Sequence, residues 1–317
     1  MPLTSSTIDV LAAGELLVDL ISDNYADTLD DVHLFKRMPG GSPANLAGNL
    51  ARLGKRTGLA ATVGQDALGT FLADYVAGLG LDMRCLRRTN KATSLILVTR
   101  SQAVSSFSAY RRADRFIIAE QLPEEVLRGL RLFHTTCFAL SREPARGHIL
   151  RAAEFVAEQG GQVSIDANYA AEIWPDQGDA QRIVARYCGM GALVKFSEVD
   201  WGRLYGYPLV EPATAAEYLL QLGAKAACIT LGDKGCFVSN GAESHFLPSR
   251  PVQVSDTTGA GDAFWSGFLS AWLDNHSLEH CAMAGRKMAE KKLEHYGPLP
   301  AQIAARDIYV DFASSEG

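Results

Sequence analysis

The chain of 317 residues carries 30 Lys and Arg against 36 Asp and Glu, a formal charge of −6, with 47% apolar and 21% charged residues, the balance of a packed globular protein and not of a disordered one. Acidic and basic residues are interspersed, with no Lys/Arg block to follow a phosphate backbone, so nucleic acid is excluded as an expected partner. No apolar run reaches the roughly 18 to 20 residues that span a bilayer, and MPLTSSTIDV lacks the basic and apolar parts of a signal peptide; the expectation is a cytoplasmic protein with no membrane partner.

In chain order, IDVLAAG at 8–14 has strand composition and ends at a glycine, the pattern of a central parallel strand. GGSPANLAGNLARLG at 40–54 predicts a helix, with Ser42 as its cap, Pro43 in the first turn, Leu46, Leu50 and Leu53 on one face, and Gly54 past its end. KRTGLAATVG reads as a strand, and Asp66 caps a helix that stops at Gly80. TSLILVTR and SSFSAY, between 93 and 110, are two β segments without the helix a parallel crossover requires. They break the rhythm as an inserted antiparallel flap does.

The alternation resumes with LRLFHTTC, a helix at 143–159, GQVSIDAN, a helix near 179–188, GALVKFS, a helix near 212–222 and KAACITLG. GCFVSNGAESHFL is a hairpin about Asn240–Gly241, and the rest is mostly helical. Strands alternating with helices predict an α/β fold with a doubly wound, mostly parallel sheet, joined by a small antiparallel β lid from about 15–38 and 91–112. No linker or repeat divides the chain, so 1–317 reads as one domain. The six cysteines form no CxxC pair and stand in apolar contexts such as TTCFAL and AACITL, which predicts buried, reduced thiols.

The stretch DTTGAGDAFWSGFL at 256–269 runs from small residues into an apolar helix. A helix beginning near Gly259 leaves the N–H groups of Gly259, Ala260 and Gly261 unpaired and turned toward incoming negative charge. Asp262 in the same turn is close enough to take a proton from a hydroxyl, and an anion cradle beside a base points to phosphoryl transfer. The plainer reading of the same residues is a tight turn with an aspartate complementing the helix dipole. Neither GxxxxGK[ST] nor GxGxxG is present.

DTTGAGDAF resembles the C-terminal signature of the ribokinase-like (PfkB-type) carbohydrate kinases, and GGSPANLAGNLARLG resembles their N-terminal glycine motif. The resemblance implies an ATP- and Mg-dependent sugar kinase, with room for a monovalent cation. Asp262 is then the general base and Gly259, Ala260 and Gly261 the anion hole; Asp256 is assigned equally to organising the loop or a cation and to capping. GELLVD at 14–19 resembles the GExLxD of fructokinases, which makes Asp19 a contact for sugar hydroxyls, along with Gly40, Gly41 and Asn45. ITLGDKGCF resembles the TLGxxG nucleotide segment, which sets Thr230, Gly232 and Gly235 beside ATP. KFSEVD stands where many relatives have NxxE, so Ser197 falls to the nucleotide and Asp200 to Mg through water, with Glu198 as the competitor.

SAYRRAD resembles the YRxxAD-like segment of fructokinases and keto-deoxysugar kinases, which makes Arg111 a substrate contact, while Arg112 and Arg115 stay with the solvated face. IDANYAAEIW looks like DPNYRxxxW and brings Asp166 and Asn168 to the site, but Ala170 stands where many members carry arginine. That loss of a bidentate carboxylate clamp counts against 2-keto-3-deoxygluconate. Fructose is the first expectation for the acceptor; another ketose, 2-keto-3-deoxygluconate, 5-keto-2-deoxygluconate or an inositol-derived compound is the alternative. A sugar- or nucleotide-binding regulatory protein on the same fold is the non-enzyme reading. Unsatisfied edges on the flap favour a homodimer.

Overall fold

The computed structural model describes residues 8–100, 107–300, 303–310 and 312. β1 (Val10–Ala13) shows the period of two that organises the whole molecule: Val10 and Ala12 pack into one core, Leu11 and Ala13 into the other. β2 (Leu17–Tyr25) and β3 (Phe35–Gly40) form an antiparallel pair ahead of α1 (Ser42–Arg52). β4 (Thr57–Gly64), α2 (Ala67–Gly78) and β5 (Leu86–Thr89) come next, then β6 (Leu95–Arg100) and β7 (Phe107–Tyr110).

A short α3 (Glu124–Leu127) leads into β8 (Leu132–Thr136), α4 (Ala145–Glu158), β9 (Gln162–Asp166), α5 (Gln177–Cys188) and β10 (Leu193–Ser197). The remainder runs α6 (Glu198–Tyr205), α7 (Pro212–Gln221), β11 (Ala226–Thr230), β12 (Cys236–Ser239), β13 (Ser244–Leu247), α8 (Ala260–Leu273) and α9 (Leu278–Leu293).

Nine of the described strands make one sheet in the order β13-β12-β11-β10-β9-β8-β1-β4-β5. It is parallel from β5 to β11, and the β12–β13 hairpin adds an antiparallel edge. Helices α4 to α7 cover one face and α1, α2, α8 and α9 the other, so the expected doubly wound α/β sheet is present. Leu46 and Leu50 of α1 are almost wholly buried, each contributing about 1.5–3 kcal/mol of transfer free energy. All six cysteines are free and buried, and among the described residues no helix is long and apolar enough to cross a membrane.

A second sheet of four strands, β3-β2-β6-β7, lies beside the first. Its outer pairs are antiparallel, whereas the central pair of β2 and β6 is parallel. The chain between those two strands passes through β3, α1, β4, α2 and β5, a crossover long enough to return in the same direction.

Local corrections follow from capping. Asp66 accepts the Gly69 N–H at 2.8 Å and caps α2 as expected, but α1 is capped by Gly41, not Ser42. Ser42 lies inside the first turn, and its hydroxyl points across the molecule to another helix. β5 and α6 were not evident in the sequence pattern; α6 follows β10 without a loop residue.

Candidate active site

The C-terminal ends of β9, β10 and β11 and Glu15, which follows β1, open into a cleft of about 1110 Å³ that residues of β2, β6, β7, α1, α8 and α9 also line. Openings at strand C-termini are where doubly wound sheets bind ligands. At its centre is Asp262, in the first turn of α8. One carboxylate oxygen accepts from Ser42 Oγ at 2.6 Å and the other from Asn45 Nδ2 at 2.9 Å. The start of α1 thus aims the carboxylate that the start of α8 supplies. Burial of this carboxyl raises its pKa, and Ser42, Asn45 and the Lys195 charge oppose that rise only in part.

The turn entering α8 is only partly as expected. Ala260 N–H donates to Thr257 O at 3.2 Å, so it is engaged, while the N–H groups of Gly261 and Asp262 have no protein acceptor among the described residues. Lys195 of β10 is buried with its Nζ 2.8 and 3.0 Å from the two oxygens of Asp166. A Cβ on Gly261 would stand 3.4 Å from that Nζ, so the ammonium borders the glycine turn. Burial opposes its charge, yet Asp166, Asp200 and Asp262 together hold the pKa above the ordinary value.

Asp19, on β2, faces the same space. Its pKa is pushed up to about 7, by burial first and then by the Asp262 charge. Its position requires Gly40 on β3, because a Cβ there would run into the Asp19 carboxylate. Glu15, just before β2, is buried in the cleft floor; it accepts from Ser42 N at 3.3 Å and Thr136 Oγ1 at 3.1 Å, and burial pushes it up to about 8.

Thr230, Gly232 and Gly235 also line the cleft, with the Thr230 hydroxyl donating to Phe196 O at 3.3 Å. Glu198 lines it with a partly exposed carboxylate, 3.4 Å from Lys234 Nζ. Asp200 is buried: one oxygen accepts from Ser197 N at 3.1 Å and Ser197 Oγ at 2.6 Å, the other from Tyr169 N at 3.2 Å. Val252, Val254 and, from α9, Ala289 and Leu293 add apolar lining to the cleft.

The profile of the pfkB family carbohydrate kinases matches residues 7–303. The chain belongs to that family. As a pfkB carbohydrate kinase it is an ATP-dependent sugar kinase, and the enzyme reading stands over that of a binding protein. Over 291 residues it is 33% identical to the ATP-dependent 6-phosphofructokinase of Thermoanaerobacterium thermosaccharolyticum, covering 92% of this chain and 89% of that one. Over 264 residues it is 33% identical to fructokinase-1 of Zea mays, covering 82% and 81%. The solved fructokinase of Halothermothrix orenii superposes with a TM-score of 0.75 at 33% identity, covering 89% of this chain and 96% of that one.

Of the residues expected at the kinase's site, Asp262, Asp19, Gly41, Asn45, Asp166 and Asn168 all line the cleft. Arg111 does not join them. Its guanidinium is paired with Asp114 at 2.6 Å, donates to Phe138 O at 3.2 Å and to Ser141 Oγ, and lies over the Phe138 ring, behind the cleft wall. Ala170 lines the cleft where the arginine clamp is missing. Lys195, Glu15 and Ser42 were not singled out as site residues. Lys195 sits two residues before Ser197 inside KFSEVD, and a lysine in a strand otherwise buried on both faces is the signal that could have found it.

Proposed function

We propose that the kinase transfers the γ-phosphoryl group of ATP to a hydroxyl of a neutral ketose, with fructose as the acceptor. The observation that carries this is the wall around Asp19: Glu15, Leu17, Ile96, Val98, Phe107 and Phe138 offer carboxyl groups and hydrocarbon, while Arg111 behind it is neutralised by Asp114. A polyol finds acceptors and donors in Asp19, Asn45 and Asn168, and a phosphate or carboxylate finds like charge there. The fructokinase relatives support the same acceptor.

The sugar hydroxyl lies against Asp262, which accepts its proton as the oxygen attacks phosphorus in line. The Gly261 and Asp262 N–H groups and the Lys195 ammonium take up charge on the transferring group. The small sheet acts as a lid over the sugar and excludes water that would otherwise hydrolyse ATP, the whole chain working as one catalytic unit. The nucleotide occupies the end lined by Thr230, Gly232, Gly235, Val252, Ala289 and Leu293. Magnesium suits this donor set through water, held by Glu198 and not by Asp200, whose oxygens are taken up in the cap of α6. When bound it supplies neutralisation of phosphate charge. A homodimer joined at the lid fits the exposed Tyr25, Leu34 and Tyr110 and the open edges of β3 and β7, and light scattering in solution tests it.

A second acceptor, fructose 6-phosphate, is favoured by the 6-phosphofructokinase relative and by the exposed Arg203, which also lines the cleft. ADP release with fructose, fructose 6-phosphate, tagatose, 2-keto-3-deoxygluconate and 5-keto-2-deoxygluconate decides. A higher kcat/KM for fructose upholds the first reading; a higher value for fructose 6-phosphate that collapses in Arg203→Ala replaces it with the second.

A further inference from the structure

We propose that the Lys292 ammonium is the resident cation of the glycine-rich loop, a positioning residue that takes the place of a free monovalent ion. Lys292 lies in the last turn of α9, and its side chain is only 9% exposed. Its Nζ stands 3.1 Å from Asp256 Oδ2 and donates to His295 O at 3.2 Å. A carboxylate oxygen and a carbonyl oxygen are the donors a monovalent cation would use. Here an ammonium already holds them, so the residues present do not fit the free ion that the family resemblance left room for.

The pair ties the head of DTTGAGD to the end of α9. Asp256 Oδ1 accepts Thr258 N–H at 3.0 Å and Oδ2 accepts Gly297 N–H at 3.4 Å. The Ser255 and Asp256 N–H groups donate to Leu293 O at 2.7 and 3.3 Å. Burial alone would raise the Asp256 carboxyl, but the Thr258 N–H and the Lys292 charge bring it below the usual range, and the ammonium sits at the negative end of α9. A Cβ on Gly259, the residue that starts α8, would stand 3.9 Å from Lys292 Cε, from Asn45 Nδ2 and from Asp262 Oδ2 alike. Lys292 therefore packs against the same point of backbone as the base and its partner. Removing it leaves a partly buried carboxylate, still bonded to the Thr258 and Gly297 N–H groups, without its counter-charge at the entry to the cradle. A tethered cation never dissociates, so this loop keeps its shape whatever the surrounding salt.

The inference rests on the reading that this loop and Asp262 perform the transfer, and the experiment separates the two. Wild type and Lys292→Ala are prepared in tetramethylammonium chloride, whose cation is too large for the site, and titrated with KCl and NH4Cl. Melting temperature of the unliganded protein and steady-state turnover are both read. Wild type is expected to show no saturable response to either ion in melting temperature or kcat. Lys292→Ala is expected to lose about 10²-fold in kcat with smaller changes in KM, the scale of a small misplacement of reacting groups. Ammonium or potassium should restore part of that kcat saturably and raise the variant's melting temperature. Saturable potassium activation of wild type overturns the proposal, as does a folded Lys292→Ala with wild-type kcat, or a loss that neither ion restores. If Lys292→Ala does not fold, Lys292→Gln takes its place and the wild-type titration still decides. Wild type inactive on every sugar counts against the proposed function alone, because the melting titration of the unliganded protein does not depend on the acceptor.

Discussion

Two aspartates occupy the same position in two helices and do different things. Asp200 is the third residue of α6 and Asp262 the third of α8. The residue before α6 is Ser197, whose hydroxyl accepts the Asp200 N–H at 3.0 Å while Asp200 folds back onto Ser197. This closes a reciprocal capping box. The residue before α8 is Gly259, with φ of 75° and no side chain to offer. Asp262 finds no partner on its own cap and reaches to Ser42 and Asn45 of α1 instead. A serine thus consumes its aspartate in holding a helix, and a glycine leaves its aspartate to the cleft.

The sharpest way to break this comparison is to neutralise the free member. Asp262→Asn keeps the size and the contacts to α1 but cannot take a proton, so kcat should fall by about 10² to 10⁴-fold, with nucleotide binding kept. Near-normal turnover would show that Asp262, like Asp200, serves only its helix.

Next in size is Asp19→Asn. Asp19 stands at about 7 because it is buried and faces Asp262. It must be ionised to accept two sugar hydroxyls, so wild-type kcat/KM should fall as pH drops through about 7. The variant has no carboxyl at this position, and its acid limb should move to lower pH. Its KM for sugar should rise by about 10- to 10²-fold, the worth of hydrogen bonds to a charged group. An unmoved limb would assign the titration to another residue.

The difference between the two aspartates also explains what was legible in the sequence. GAGD was readable because its chemistry is local: small residues, a helix start and a carboxylate within one turn. The cap of α6 is equally local, but by resemblance S-E-V-D points to metal and nucleotide, and only the structure shows the serine occupying Asp200. Arg111 misled for the opposite reason. Its partners Asp114, Phe138 and Ser141 include two that are distant in sequence, and only the fold shows the guanidinium already engaged. Lys292 was invisible for the same reason, being 36 residues from Asp256. Most strands and helices are legible in order because apolar periodicity is dense along this chain, β5 and α6 being the exceptions already noted. The parallel pairing of β2 with β6 is not legible there, since it depends on a crossover through five other strands and helices.

Ser197→Ala sharpens the comparison from the α6 side. It opens the capping box and should cost about 1 kcal/mol in denaturant unfolding, with turnover of the folded enzyme kept. A large loss of kcat without a loss of stability would move Ser197 and Asp200 into the chemistry and make the two helices alike.

The smallest effect concerns Glu15, which supports the free aspartate indirectly by accepting the N–H of Ser42 at 3.3 Å. Burial raises its pKa from 4.5 to about 8 in the folded protein. Between those values the folded chain keeps a proton that the unfolded chain has released. The native state binds more protons, so Glu15 makes stability fall as pH rises through that window and level off above it. Glu15→Gln retains donors and acceptors for Ser42 and Thr136 and has no proton to lose. Melting temperatures of the two proteins should therefore shift relative to one another in favour of the variant as pH rises from 4.5 toward 8. A difference constant over that range would mean that Glu15 is ionised in the folded protein. The Ser42 N–H would then answer a full negative charge, and Glu15 would add a further anion to the site that Asp262 and Asp19 already share.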